Sequence, residues 1–260
     1  MSDSVSFDRV AALYDSTRVT DEQTLRGVVD LLQREVATGH GSLLEIGVGT
    51  GALAVPLSAR GVHVVGIDLS DAMMGHIAAK GGGVSLVGAD ATRLPFGDRT
   101  FAGSYARWVL HLIPAWRSAV AELCRVTRPG GVIAIEPGGF AGRWQVVMDR
   151  MVEAIGPAAE PVGLDRGRDP GALDAAFADA GAEPLGVVDI AGHFAGSLRT
   201  FFDEALARTY SWTWRASDED LTRGVATVRA WAAERFDDWD TPLDLGAPMH
   251  WHRYRVSGST

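Results

Sequence analysis

The apolar run Leu43-Leu44-Glu45-Ile46 passes without a break into Gly47-Val48-Gly49-Thr50-Gly51, and a segment of helical pattern follows. This is the feature that most narrows what the chain can fold into. A buried strand that ends in a glycine turn and resumes as a helix opens a parallel strand–helix–strand unit, because parallel neighbours need a long crossover. Glycine also admits positive φ and lets a ligand reach the backbone with no Cβ in the way. Such a turn is a seat for a cofactor.

The alternation continues downstream. Strands are expected at 42–46, 63–67, 84–87, 101–105 and 132–135, with helices at 50–60, 71–80 and 116–127 between them. Arg128-Pro129-Gly130-Gly131 ends the last of these helices. Two amphipathic helices precede the block: Phe7, Val10, Ala11 and Tyr14 recur at helical spacing, then Leu25, Val28, Val29, Leu32 and Val36. Thr20 and Gln23 suit a capping box for the second. After Glu136 the pattern loosens into helices at 142–155, 173–180, 197–214 and 218–236, with strands at 185–190 and 249–256.

With 260 residues, 47% of them hydrophobic, the chain suits one large α/β domain with additions. A formal net charge of -9, with only 24 Lys and Arg, argues against an extended phosphate-binding face and so against a nucleic-acid partner. The first residues show no basic-then-apolar leader, and no apolar run approaches the ~20 residues that span a bilayer, so a cytoplasmic protein without a membrane partner is expected. Cys124 is the only cysteine and falls on an apolar stripe, which excludes a disulfide framework and points to core packing. Lys80 is the only lysine, and none of the eight tryptophans precedes Trp108.

Asp68 closes the second strand 21 positions after Gly47, where a carboxylate can accept both hydroxyl protons of a ribose. Asp90 follows the third strand. In an open parallel sheet these turns meet at one edge, so a single ligand can touch all of them. Gly47, Gly49 and Ala52 also satisfy the relaxed dinucleotide pattern, which keeps an NAD(P)-dependent oxidoreductase as an alternative; a Tyr-x-x-x-Lys pair is absent.

Taken as an ordered set, Glu45-x-Gly47-x-Gly49-x-Gly51, Gly66-Ile67-Asp68-Leu69-Ser70 with Met73, Asp90-Ala91 ahead of Leu94-Pro95-Phe96, and Arg128-Pro129-Gly130-Gly131 resemble the class I S-adenosylmethionine-dependent methyltransferases of small-molecule type. The resemblance covers roughly residues 41 to 137. It implies a Rossmann-like α/β sheet of seven strands, mostly parallel, with an antiparallel last strand; the short approach to Met249 agrees, leaving little room for a crossover helix. The expected organisation is an N-terminal helical cap at 1–40, a cofactor-binding core at 41–137, and the rest of the sheet with an inserted substrate lid at 138–260.

The resemblance also implies roles. Gly47 and Gly49 would lie under the methionine part of S-adenosylmethionine, and Asp68 would hold the ribose. Leu69 and Met73 would pack on the adenine, with Asp90 and the Ala91 amide at its polar edge, while Glu45 organises the loop. Tyr14 and Arg18 resemble a segment that closes over the cofactor, Arg18 pairing with its carboxylate. The plainer alternative makes Tyr14 the end of an apolar stripe and Arg18 a surface charge. The aspartate usual after Phe101 is Ala102 here.

Methyl transfer from a sulfonium needs alignment, exclusion of water, and a free lone pair on the acceptor. His111, beyond the fourth strand, is the candidate general base, Glu136 its candidate orienting partner, and Arg107 a contact for cofactor or acceptor. The alternative for His111 is a core residue bonded to backbone. His250 and His252 share a strand face with no third ligand in sight, so no metal site is expected. Phe201, Phe202, Tyr210, Trp212 and Trp214 suit a lid over a flat or hydrophobic acceptor, or simple core packing. A non-catalytic protein that binds S-adenosylmethionine is the third reading.

Overall fold

The computed structural model describes residues 5–17, 21–81, 83–139, 142–165, 169, 171–192, 195–240, 243–244 and 248–258. The strands β1 Leu43–Ile46, β2 Val64–Asp68, β3 Ser85–Gly88, β4 Gly103–Arg107, β5 Val132–Glu136, β6 Ala182–Ile190 and β7 Met249–Val256 form one sheet. Its spatial order is β3-β2-β1-β4-β5-β7-β6. The first five strands are mutually parallel, whereas β7 runs antiparallel to both β5 and β6. The expected fold class, antiparallel ending included, is the one observed.

Both β1 and β5 are buried along their whole length, as strands covered on two faces must be. On one face α2 Glu22–Glu35 and α3 Ala54–Ala59 help enclose a core that includes Val29, Leu32, Leu43, Leu57, Tyr105 and Trp251. On the other face α5 Trp116–Val126 and α7 Ala172–Asp179 pack around Ile46, Leu123 and Phe177, with Phe177 stacked on Tyr254 at 3.8 Å. A third cluster stands apart from the sheet. It joins α6 Gly142–Ile155, α8 Leu198–Leu206 and α9 Asp218–Ala233 through Trp144, Met151, Phe201, Phe202 and Val225.

Several elements differ from the sequence expectation for local reasons. The helix after the glycine turn begins at Ala54, not Thr50, because the turn is longer and the buried Glu45 carboxylate accepts the Ala54 amide at the helix start. The expected helix 197–214 ends at Leu206: Arg208 takes φ 56°, and its guanidinium ties Ala216 O (3.0 Å) and Asp218 (2.6 Å) into a reversal. Trp212 and Trp214 therefore leave the helix that carries Phe201 and Phe202. Strand β4 spans Gly103–Arg107, two residues later than expected, while Phe101 forms an isolated bridge with Thr127. Asp21 caps α2, accepting from Thr24 N at 2.9 Å; Thr20 lies outside the described residues.

The sheet order reverses direction between β1 and β4. At such a switch point the turns leaving the two strands diverge above the sheet and open a crevice at its carboxyl edge. The turns after β1, β2, β3 and β4 all project there.

Candidate functional site

The site begins at the end of β1. Gly47 has φ +69°, and a Cβ placed on it would lie 2.7 Å from Val109 Cγ2, in the segment leaving β4. Only glycine satisfies both constraints. Gly49 turns the chain a second time at φ +52° and donates its amide to Asp68 Oδ2 at 2.9 Å. The Ser70 amide holds Asp68 Oδ1 at 2.9 Å, so the carboxylate is fixed at the tip of β2. Burial raises the Asp68 pKa, and the amides of Ser70, Gly49 and Leu69 oppose that rise.

Ser70 also caps α4 Asp71–Lys80 by accepting from Met73 N at 3.0 Å, which sets Leu69 and Met73 at one wall. Beyond β3, Asp90 Oδ1 accepts from the amide and the hydroxyl of Thr92 at 2.9 and 2.8 Å, forming a tight turn around Ala91. These turns bound a cavity of about 650 Å³, part of it open to solvent. Gly47, Gly49, Asp68, Leu69, Met73, Asp90 and Ala91 line one side. Val5, Phe7, Tyr14, Arg107, Trp108, Val109, Leu112 and Ile113 line the other, which is mostly apolar.

The N-terminal segment reaches this cavity by specific bonds. Asp8 accepts from Ser70 Oγ at 2.5 Å, and Asp15 accepts from Thr50 Oγ1 at 2.5 Å. Lys80 Nζ stands 2.6 Å from Asp15 Oδ2 and 2.8 Å from Thr50 O, tying α1 Ala11–Thr17 to the glycine loop. Phe7 packs between Tyr14 (5.8 Å) and Trp214 (4.8 Å). Sequence reasoning missed Asp8, Thr50 and Phe7 in this setting. Its one clue was that the sole lysine lies at the end of α4. Arg18 lies outside the described residues.

Beneath the cavity lies a buried polar cluster. Tyr105 donates its hydroxyl to Glu45 Oε2 at 2.8 Å, and burial pushes the Glu45 carboxyl up to about 8. Burial lowers Arg107 from its usual value, while Glu136, Tyr14 and Glu45 favour its charge. Glu136 accepts the Gly138 amide at 3.1 Å. Thus Arg107 and Glu136, register partners on β4 and β5, come together. His111 sits on the single turn Leu110–Leu112, outside the cavity lining, and burial alone pushes it down to about 4. Burial likewise pushes the Cys124 thiol up to about 12, as a core position requires. Among the described residues no cluster of three or more His, Cys, Asp or Glu is arranged to hold a metal, and no helix is long and apolar enough to cross a membrane.

A family model described as a methyltransferase domain matches residues 44–135. The demethylmenaquinone methyltransferase of Clavibacter sepedonicus is 36% identical over 140 residues, 51% of this chain and 56% of that protein. The demethylmenaquinone methyltransferase of Paenarthrobacter aurescens (strain TC1) is 34% identical over 134 residues, 50% of this chain and 52% of its own length. The chain thus spans a little over half the length of these curated relatives. Among solved structures, the cyclase SpnF superposes with a TM-score of 0.61 at 20% identity, covering 97% of this chain and 95% of its own, a likeness of fold alone.

The buried acid and imidazole give stability a definite pH dependence. In the folded chain Glu45 keeps its proton to about 8 against an ordinary 4.5, so its contribution to stability falls as pH rises between those values. His111 acts in the opposite sense, its contribution rising between about 4 and 6.5 and then levelling. From pH 6.5 to 8, therefore, Glu45 is the one of the two that titrates. Glu45→Gln is expected to flatten the fall of unfolding free energy across that interval, read from urea titrations at both ends. An unchanged slope would mean that Glu45 is ionised in the folded chain.

Proposed function

We propose that the chain, whose residues 44–135 match a family model described as a methyltransferase domain, transfers the methyl group of S-adenosylmethionine to a nitrogen, oxygen or carbon of a small aromatic or hydrophobic molecule. The observation that carries this reading is the Asp68 carboxylate, held by the Gly49 and Ser70 amides above a floor that admits no Cβ at Gly47. Each carboxylate oxygen keeps a lone pair for a ribose hydroxyl. The surrounding donor set fits the same group. Leu69 and Met73 offer an apolar wall to a purine, and Asp90 stands at that wall's polar end beside the Ala91 amide.

Bound S-adenosylmethionine supplies an electrophilic methyl whose leaving group is a neutral thioether. The chain's own residues then have three tasks. Gly47 and Gly49 give the cofactor close access to backbone, while Phe7 and Tyr14 cover the cavity and exclude water. Trp108, Val109, Leu112 and Ile113 present the apolar wall on which an acceptor is aligned. Arg107, half-buried beside Glu136, brings a positive charge to that wall. The curated relatives are named for demethylmenaquinone, which supports a quinone-type ring as the acceptor class.

An acceptor that carries a proton must lose it. His111 is neutral above about pH 4, so its lone pair is free for that proton although burial makes it a weaker base than a free imidazole, with Glu136 acting through Arg107 rather than through the imidazole. If so, His111→Ala should lower kcat by about 10² to 10⁴ while S-adenosylmethionine affinity holds. Full turnover per folded molecule would assign His111 to packing and leave alignment and dryness as the mechanism.

Asp68→Ala tests the cofactor assignment against a neighbour three positions on. A charge-assisted hydrogen bond contributes roughly 1.5 to 3 kcal/mol, so Asp68→Ala should weaken S-adenosylmethionine binding by about tenfold to a hundredfold. Asp71→Ala, in the exposed first turn of α4, should change it little. Equal losses from both, measured by calorimetry, would remove the ribose assignment.

A further inference from the structure

Three non-glycine residues take positive φ among the described residues: Arg99 at 55°, Trp108 at 55° and Arg208 at 56°. Arg99 lies in a turn, and Arg208 just beyond the end of α8. Trp108 is different, because it immediately follows β4 and lines the cavity. A bulky side chain on a left-handed backbone is strained, and such strain persists only where the surroundings enforce it.

The surroundings of Trp108 do enforce it. Its amide is anchored to Glu136 O at 2.9 Å, so the end of β4 stays tied to β5. Gly138, at φ +80°, lies so close that a Cβ there would stand 3.0 Å from Trp108 Cδ1, and glycine leaves the indole its space. The Arg107 guanidinium covers one indole face, its central carbon 4.1 Å from the ring centroid. No aromatic ring among the described residues stacks on the other face. A glycine at 108 would take the same backbone without strain, so the indole is kept for something other than the turn.

We propose that Trp108 is a specificity-determining residue: its indole, backed by Arg107, is the platform on which the flat, electron-rich ring of the acceptor stacks. A cation on one face draws electron density from the indole, which favours an electron-rich ring on the other. This rests on the methyl-transfer reading above and adds to it the side chain that selects the acceptor class. Arg107 and Tyr14 aside, the neighbours of Trp108 on this wall are the apolar Val109, Leu112 and Ile113, which offer a polar, non-planar acceptor little to bond.

The test uses Trp108→Gly and Trp108→Asn, which remove the ring and suit the left-handed backbone, and Trp108→Phe, which keeps an aromatic ring under the same strain. The probe is naphthohydroquinone, titrated anaerobically into protein saturated with S-adenosylhomocysteine. The parent and Trp108→Phe should bind it, whereas the Gly and Asn variants should bind about tenfold more weakly, the scale of one aromatic stack. S-adenosylhomocysteine affinity should stay within about threefold in all four proteins, and the Tm of Trp108→Gly should not fall below that of the parent. Parent-like binding of the probe by the Gly and Asn variants would overturn the platform, as would a steep loss of Tm in both. A parent that binds S-adenosylhomocysteine but not the probe would overturn the flat-ring acceptor and leave methyl transfer standing. Failure to bind S-adenosylhomocysteine at all would instead overturn the reading on which this one rests.

Discussion

At the head of the sheet the segments leaving β1 and β4 pass so close that no side chain fits between them. Gly47 and Val109 meet there, and a Cβ on Gly47 would come within 2.7 Å of the valine. The contact follows from topology: β1 and β4 are parallel neighbours with paired registers, Ile46 beside Ala106, and their connections must part in opposite directions. Everything that surrounds the cavity depends on that parting. The β1 turn bends toward β2 and delivers the Gly49 amide to Asp68, while the β4 segment bends the other way and carries Trp108 and the turn with His111.

Under this crevice the chain buries ionisable groups that a simple apolar sheet would exclude. Glu45 sits inside β1 bonded to Tyr105, and Arg107 ends β4 close to Glu136 at the end of β5. Buried ionisable groups cost desolvation energy unless they are paired and hydrogen-bonded. Here the arrangement has structural consequences: Glu45 starts α3 by accepting the Ala54 amide, and Glu136 orders the next turn through Gly138. The N-terminal segment adds a second layer of charge pairing through Asp15 and Lys80, which places Tyr14 over the opening.

What was legible in the sequence was what repeats locally. The period change at Leu43, the glycines after Ile46 and the acids closing successive strands marked the succession of β1 to β5 along the chain, and the structure gathers Gly47, Asp68 and Asp90 around one cavity. The short approach to Met249 was enough, with the family resemblance, to orient the last strand. Less legible was whatever depends on distant partners. The Asp15–Lys80 and Asp8–Ser70 contacts join residues more than sixty positions apart and leave no periodic trace. The run from 197 to 214 has the apolar spacing of one helix, yet Arg208 finds acceptors at Ala216 and Asp218 that outweigh helical continuation. His111 lies on the single turn Leu110–Leu112, outside the cavity lining, and Glu136 ends β5 beside Arg107, placements that depend on how the segment after β4 turns and leave no local pattern.

The central claim is that the glycine turn and the acids at the sheet edge seat S-adenosylmethionine and not a dinucleotide. Calorimetric titration of the chain with S-adenosylmethionine, S-adenosylhomocysteine and NAD tests it most directly. Saturable binding of the two adenosyl compounds and no binding of NAD are expected. Binding of NAD with neither adenosyl compound would contradict it.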